Sequence, residues 1–64
     1  MLSIEFQARI FSEYRAGKEY TTGRKYLYTI QRNPLALTQT WIIRKLKNSD
    51  APWEWVQPLN TDLK

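Results

Sequence analysis

The sequence predicts a small all-β protein, built as an antiparallel meander that forms either a strongly curved sheet or a small barrel. Three observations favour this class: strict alternation of apolar and polar residues near the N-terminus, two later segments rich in Tyr, Thr, Ile and Trp, and short turn clusters between segments. With 64 residues the chain is long enough for one domain. We place that domain at residues 1–58 and a frayed C-terminal tail at 59–64.

The first predicted strand covers residues 2–11. Its apolar side chains occupy every second position, which is the period of a half-buried strand, and they are Leu2, Ile4, Phe6, Ala8 and Ile10. A helix over residues 3–16 is the alternative, because Ser3 can cap its start and Gly17 can end it. That alternative changes the fold class to α+β.

The middle of the chain predicts a hairpin. Residues 15–23 hold both glycines and form a connection with room for a short extended piece. Strands are expected at 24–32 and 37–47, which are rich in β-branched and aromatic residues. The intervening NPLA sequence, residues 33–36, suits a tight turn because it begins with Asn and Pro.

The last predicted strand is residues 53–57, after a turn cluster at 48–52 and before Pro58. Alternation places Trp53 and Trp55 on one face of this strand and the side chains between and beyond them on the other.

The NPLA turn, taken as a four-residue turn, also predicts the register of the hairpin. It places Tyr28 opposite Trp41 and Tyr26 opposite Ile43, which gathers their side chains on one face. That face is the natural partner of the first apolar segment. We therefore expect the tryptophans to belong mainly to the core, with indole N–H groups at its rim: Trp41, Trp53 and Trp55.

Composition argues against catalysis. The chain has no His and no Cys, so the usual general base, the best nucleophile and the imidazole and thiolate metal ligands are missing. The carboxylates lack metal-ligand spacing, and neither glycine belongs to a phosphate-binding loop. We expect no enzyme activity, no cofactor and no metal.

The charge distribution gives the strongest functional signal. Residues 20–49 contain no acidic residue although they carry six cationic ones, and the predicted pairing brings most of these to one end of the hairpin. Clustered cations favour an anionic partner. We therefore predict a nucleic-acid-binding hairpin at residues 24–47, with phosphate contacts from Arg24, Lys25, Arg32, Arg44, Lys45 and Lys47. Possible stacking residues are Tyr26, Tyr28, Trp53 and Trp55.

A protein-interaction module or small inhibitor is the alternative function. It would bind an acidic protein surface through the same cations, or pair with a partner through an exposed strand edge, as a monomer or a homodimer. The N-terminal residues do not resemble a signal peptide, and the apolar runs are far shorter than the ~20 residues of a membrane span. We therefore expect a cytoplasmic protein with no membrane partner.

Overall fold

The protein has an α+β fold, in which one N-terminal helix packs on a four-stranded antiparallel meander sheet. The computed structural model describes residues 1–23, 25–37 and 39–60. In that part of the chain the edge strands do not pair with each other, so the sheet is not closed into a barrel. No helix there is long and apolar enough to cross a membrane. The elements are α1 (Ile4–Arg15), β1 (Tyr20–Thr22), β2 (Tyr26–Asn33), a 3-10 turn (Pro34–Ala36), β3 (Gln39–Leu46) and β4 (Glu54–Pro58).

Helix α1 occupies the segment predicted as the first strand, residues 2–11, so that prediction was wrong. Local capping favours the helix at both ends. The Ser3 hydroxyl accepts a backbone hydrogen bond from the first turn (3.1 Å). At the other end Gly17 has φ 79°, and the Lys18 N–H donates to the Glu13 carbonyl (2.9 Å), which completes a Schellman motif.

The buried face of α1 explains why alternation was misleading. The side chains directed at the sheet are Phe6, Gln7, Ile10 and Phe11, which are spaced as neighbours on one side of a helix. The alternating pattern includes exposed residues such as Ile4, and it assigns Gln7 to solvent although this side chain is only 2% exposed. The helix is therefore the arrangement that buries the larger side chains.

The core lies between α1 and the face of the sheet that it covers. Phe6 anchors the helix there, because its ring stands edge-to-face with the rings of Tyr28 (5.1 Å between centroids) and Tyr20 (5.5 Å). The buried cluster around this contact consists of Ile10, Tyr28, Ile30 and Ile42.

Buried Gln7 joins the two ends of the chain. Its Nε2 donates to the Leu2 carbonyl (2.9 Å), and its Oε1 accepts from the Asn60 N–H (3.1 Å). The Leu2 N–H in turn donates to Oε1 of Gln57 on β4 (2.9 Å). These bonds satisfy the amide of Gln7, which would otherwise be costly to bury.

The chain after β4 continues to contact the domain. Leu59 packs against the core cluster, and its N–H donates to the Thr40 carbonyl (3.0 Å). The predicted tail began at residue 59, and its last part, residues 61–64, lies outside the described residues.

The register of the β2–β3 hairpin differs from the predicted one. Asn33 pairs with Gln39, and Tyr28 faces Arg44 three residues beyond the predicted partner Trp41. Tyr26 likewise faces Leu46 rather than Ile43. The predicted register was wrong because the connection is longer than a four-residue turn.

Local interactions in the connection produce the longer loop. The Asn33 side chain accepts a hydrogen bond from the Leu35 N–H (3.0 Å), and Pro34 begins the 3-10 turn. Leu37 then adopts the left-handed conformation, with φ 55° and ψ 38°. The chain therefore re-enters the sheet at Gln39 rather than immediately after Ala36.

The shift by an odd number of residues separates the aromatic side chains between the two faces of the sheet. Tyr26, Tyr28 and Ile30 lie on the face that α1 covers. Trp41 and Ile43 lie on the opposite face, because successive side chains of a strand alternate. We call this opposite face, which no element covers in the described part of the chain, the open face.

Candidate nucleic-acid interface

The open face carries all three tryptophans. Trp41 and Trp53 are half-buried, and Trp55 is 42% exposed, so the prediction that they belong mainly to the core was wrong. The Trp41 and Trp55 rings are edge-to-face, with centroids 6.1 Å apart and planes at 88°. The Trp41 Nε1 donates to Oε1 of Gln39 (3.3 Å), which fixes the direction of that indole.

A β-bulge in β4 places Trp55 on this face. Ile43 pairs with Trp55 whereas its neighbour Ile42 pairs with Gln57, so Val56 is an extra residue in the ladder. Without the bulge, residues 55 and 57 would share a face. With the bulge, the Trp55 side chain lies on the open face. The Gln57 side chain lies on the face that α1 covers, where it accepts a hydrogen bond from the Leu2 N–H just before the helix.

Ile43 lies at the centre of the open face and is nevertheless only 2% exposed. It is opposite Trp55 on one side and Thr29 on the other, with Trp41 and Lys45 two positions away along β3. These neighbours therefore cover Ile43 on the open face. Trp55, directly opposite Ile43, keeps part of its own ring exposed to solvent.

Three lysines lie on the open face with the tryptophans. Nζ of Lys45 lies 5.5 Å from the centroid of the Trp53 ring, a cation–π contact, and also donates to the Ser49 carbonyl (3.3 Å). The Lys47 N–H donates to the Lys25 carbonyl (2.8 Å), which continues the β2–β3 register and places both residues on the open face with Lys45. Lys25 is exposed and Lys47 is half-buried.

Arg44 lies on the other face of the sheet. Its Nε donates to Oε1 of Glu54 (2.9 Å), its Nη1 donates to the Tyr28 hydroxyl (3.4 Å), and its guanidinium lies 4.4 Å from the Tyr26 centroid. The hydrogen bonds to Glu54 and then to Tyr28 raise the pKa of Arg44 above its usual range. Arg44 is therefore held by internal partners, apart from the three lysines.

The remaining predicted contact residues are also separated from the lysines. Tyr28 is buried and Tyr26 packs beside it at 6.1 Å on the helix side, so neither ring is presented for stacking. Arg32 is exposed opposite Thr40, near the loop end of the hairpin. Arg24 lies outside the described residues. Of the predicted set, the structure brings together Lys25, Lys45 and Lys47 with Trp53 and Trp55.

Trp41 also lies on this face, although it was predicted to lie in the core opposite Tyr28. A signal was present in β3 itself, because alternation along one strand does not depend on its pairing. Trp41, Ile43, Lys45 and Lys47 occupy every second position and so share one side. The hairpin register, when counted from the turn, obscured this pattern.

A shallow groove is a second feature of the surface, at the edge of the sheet formed by β4. It has a volume of about 800 Å³ and lies between the start of α1 and β4, lined by apolar residues that include Leu2, Val56 and Leu59. The amides of Gln7 and Gln57 within it already bond to the backbone. In residues 1–23, 25–37 and 39–60, no group of three carboxylates could hold a metal ion.

Comparisons of this chain with models of protein families, with curated proteins and with solved structures give no match. We therefore infer function from the residues of the open face.

Proposed function

We propose that the protein binds nucleic acid through the open face of its sheet. The observation that supports this proposal is that cationic and aromatic side chains lie together on one face of the sheet. Lys25, Lys45 and Lys47 share with the three tryptophans the one face that α1 leaves uncovered. Cations beside exposed aromatic rings form the combination that follows a phosphate backbone and contacts bases.

The surrounding charge favours a polyanion. Residues 20–49 contain no acidic side chain, so strands β2 and β3 offer no carboxylate to compete for the three lysines. Glu54 belongs to β4, but it bonds to Arg44 on the other face. Neutralising phosphates releases counterions, which makes such binding strong at low salt and weak at high salt.

The proposed surface is narrower than the hairpin 24–47 that charge alone suggests. It excludes Arg44, because the guanidinium is engaged with Glu54 and Tyr28, and it excludes Arg32, which lies near the loop end. The open face then has a cationic end at Lys25 and Lys47 and an aromatic region around Trp55.

The first test is a titration of labelled single-stranded DNA, RNA and duplex DNA, with poly-glutamate as a probe for an acidic protein partner. We expect binding of at least one nucleic acid that weakens steeply and log-linearly between about 50 and 200 mM salt. Absence of nucleic-acid binding at low salt would overturn the proposal. Equal binding of poly-glutamate would instead support an acidic protein as the partner.

A matched pair of variants localises the binding. Lys25→Gln/Lys47→Gln removes two charges from the open face, whereas Arg9→Gln/Lys18→Gln removes two exposed charges from the helix and its C-terminal end. For a single strand, we expect the first variant to reduce the salt slope by about 0.7 for each phosphate that is no longer neutralised. The second variant should change binding little. Equal effects of the two variants would show attraction by net charge rather than by the open face.

A further inference from the structure

We infer that the ligand is single-stranded nucleic acid, whose unpaired bases stack on Trp55 and Trp53. This inference rests on the proposed function and specifies the class of ligand that the open face takes. It depends on the geometry of the indole rings, on the position of Lys45 and on the shape of the face.

The Trp41–Trp55 pair leaves indole surface available. In an edge-to-face pair, the ring that points its edge at its partner keeps both of its own faces clear of that partner. Trp41 is held by its hydrogen bond to Gln39, and Trp55 retains 42% of its surface in solvent. The pair therefore leaves indole surface in solvent on which a base can stack.

Lys45 places a cation beside the ring of Trp53, the second indole on which we expect a base to stack. Its Nζ lies 5.5 Å from the centre of the Trp53 ring, and its bond to the Ser49 carbonyl restrains it there. A nucleotide that stacks its base on this aromatic cluster can direct its phosphate to Lys45. Lys47 and Lys25 continue the cationic path along the same face.

The same face is poorly suited to a duplex. Reading base edges in the major groove uses a helix or a two-stranded ribbon that enters the groove, whereas α1 lies on the opposite side of the sheet and β2 and β3 are flanked by β1 and β4. The protruding hairpin loop carries Leu35 and Leu37, each 95% exposed, rather than cations. Within a duplex, bases are already stacked on each other, so indole faces have no base to receive until a strand is unpaired.

Polar side chains beside the tryptophans can contact base edges. Thr29 and Gln31 alternate onto the open face from β2, and Gln31 lies opposite Trp41. Stacking tolerates every base, because each has a π-face, so we expect at most a modest sequence preference.

The test uses tryptophan fluorescence of the intact chain. Oligothymidylate should quench the indole emission of the wild type and protect it from acrylamide, whereas a duplex of the same length should do neither. We expect Trp55→Leu to weaken single-strand binding by about five- to a hundred-fold, as the loss of one stacked base does. Trp55→Phe should restore most of the affinity, because a ring is again present.

The outcomes separate this inference from the proposed function. If single strand and duplex bind equally, without quenching, the stacking inference is overturned while nucleic-acid binding stands. If neither binds at low salt, both fail. Should Trp55→Leu not fold by circular dichroism, the quenching and acrylamide protection of the wild type still decide the inference.

Discussion

The indole of Trp55 stands edge-to-face with the indole of Trp41, although the two residues are not paired across the sheet. Trp41 is opposite Pro58, and Trp55 is opposite Ile43, so the contact is diagonal across β3 and β4. Diagonal neighbours in a sheet are within reach of aromatic side chains. The contact links the edge strand β4 to the central strand β3 on the open face.

Trp55→Leu should therefore lower stability only modestly. Leucine still covers Ile43, so the main effect is removal of the aromatic pairing with Trp41, worth about 0.5–1.5 kcal/mol. Ile42→Ala, at a fully buried position, should cost about 2–5 kcal/mol. Urea unfolding of both variants checks this. Equal destabilisation by the two changes would show that Trp55 contributes as a core residue after all.

Gln7→Met should destabilise the protein although it makes the interior more apolar. Methionine has a similar length but removes the hydrogen bonds to the Leu2 carbonyl and the Asn60 N–H, and these groups are partly buried, so losing each bond should cost about 1 kcal/mol. Gln31→Met is the control, because Gln31 is exposed and should change stability by less than about 0.5 kcal/mol. Thermal unfolding that ranks the two variants equally would contradict the role given to Gln7.

Leu37→Gly should stabilise the protein. A left-handed conformation costs a leucine about 1–2 kcal/mol, and the side chain is 95% exposed, so its removal sacrifices little packing. Glycine also raises the conformational entropy of the unfolded chain, which offsets part of this gain. The net increase in the free energy of unfolding should be about 0.5–1 kcal/mol. Leu35→Gly is the matched control, equally exposed but in the 3-10 turn, and it should destabilise. A loss of stability in chemical denaturation of Leu37→Gly would contradict this prediction.

Arg44→Lys should weaken the fold slightly and leave nucleic-acid binding unchanged. Lysine keeps the charge but cannot reproduce the guanidinium contacts to Glu54, Tyr28 and Tyr26. The coupling measured in a double-mutant cycle with Glu54→Gln should be about 1 kcal/mol or less, because both side chains are partly exposed. Because Arg44 lies off the open face, the neutral variant Arg44→Gln should leave the salt slope of binding unchanged, and a shallower slope would place Arg44 in the binding surface.

Three of the predicted strands could be recognised from the sequence because composition and turn residues agree there. The predicted ranges 24–32, 37–47 and 53–57 correspond to β2, β3 and β4 with small differences at their ends. The helix was the less favoured interpretation because the alternating pattern of the first residues also fits a strand. The capping residues Ser3 and Gly17 were the sequence features that indicated the helix correctly.

The residues of the open face could be predicted in part, since its lysines and two of its tryptophans were named as candidates but their grouping on one face was not. Grouping depends on which face each residue occupies, and that depends on the length of the loop after Asn33. The left-handed conformation of Leu37 has no sequence signal, because glycine or asparagine is the usual residue there. The bulge at Val56 has none either, because a bulge is a property of the pairing between two strands and not of the residues of one.

The bulge lets β4 hold one residue more than its ladder with β3 needs. A substitution at Trp55 alters the open face directly, because that side chain is part of it. Deletion of Val56 would instead join Trp55 to Gln57, which already pair with the adjacent residues Ile43 and Ile42, so a regular ladder would keep both on their present faces. What the deletion removes is the packing of Val56 against the core cluster. We therefore expect loss of Val56 to cost stability and to leave the residues of the open face in place.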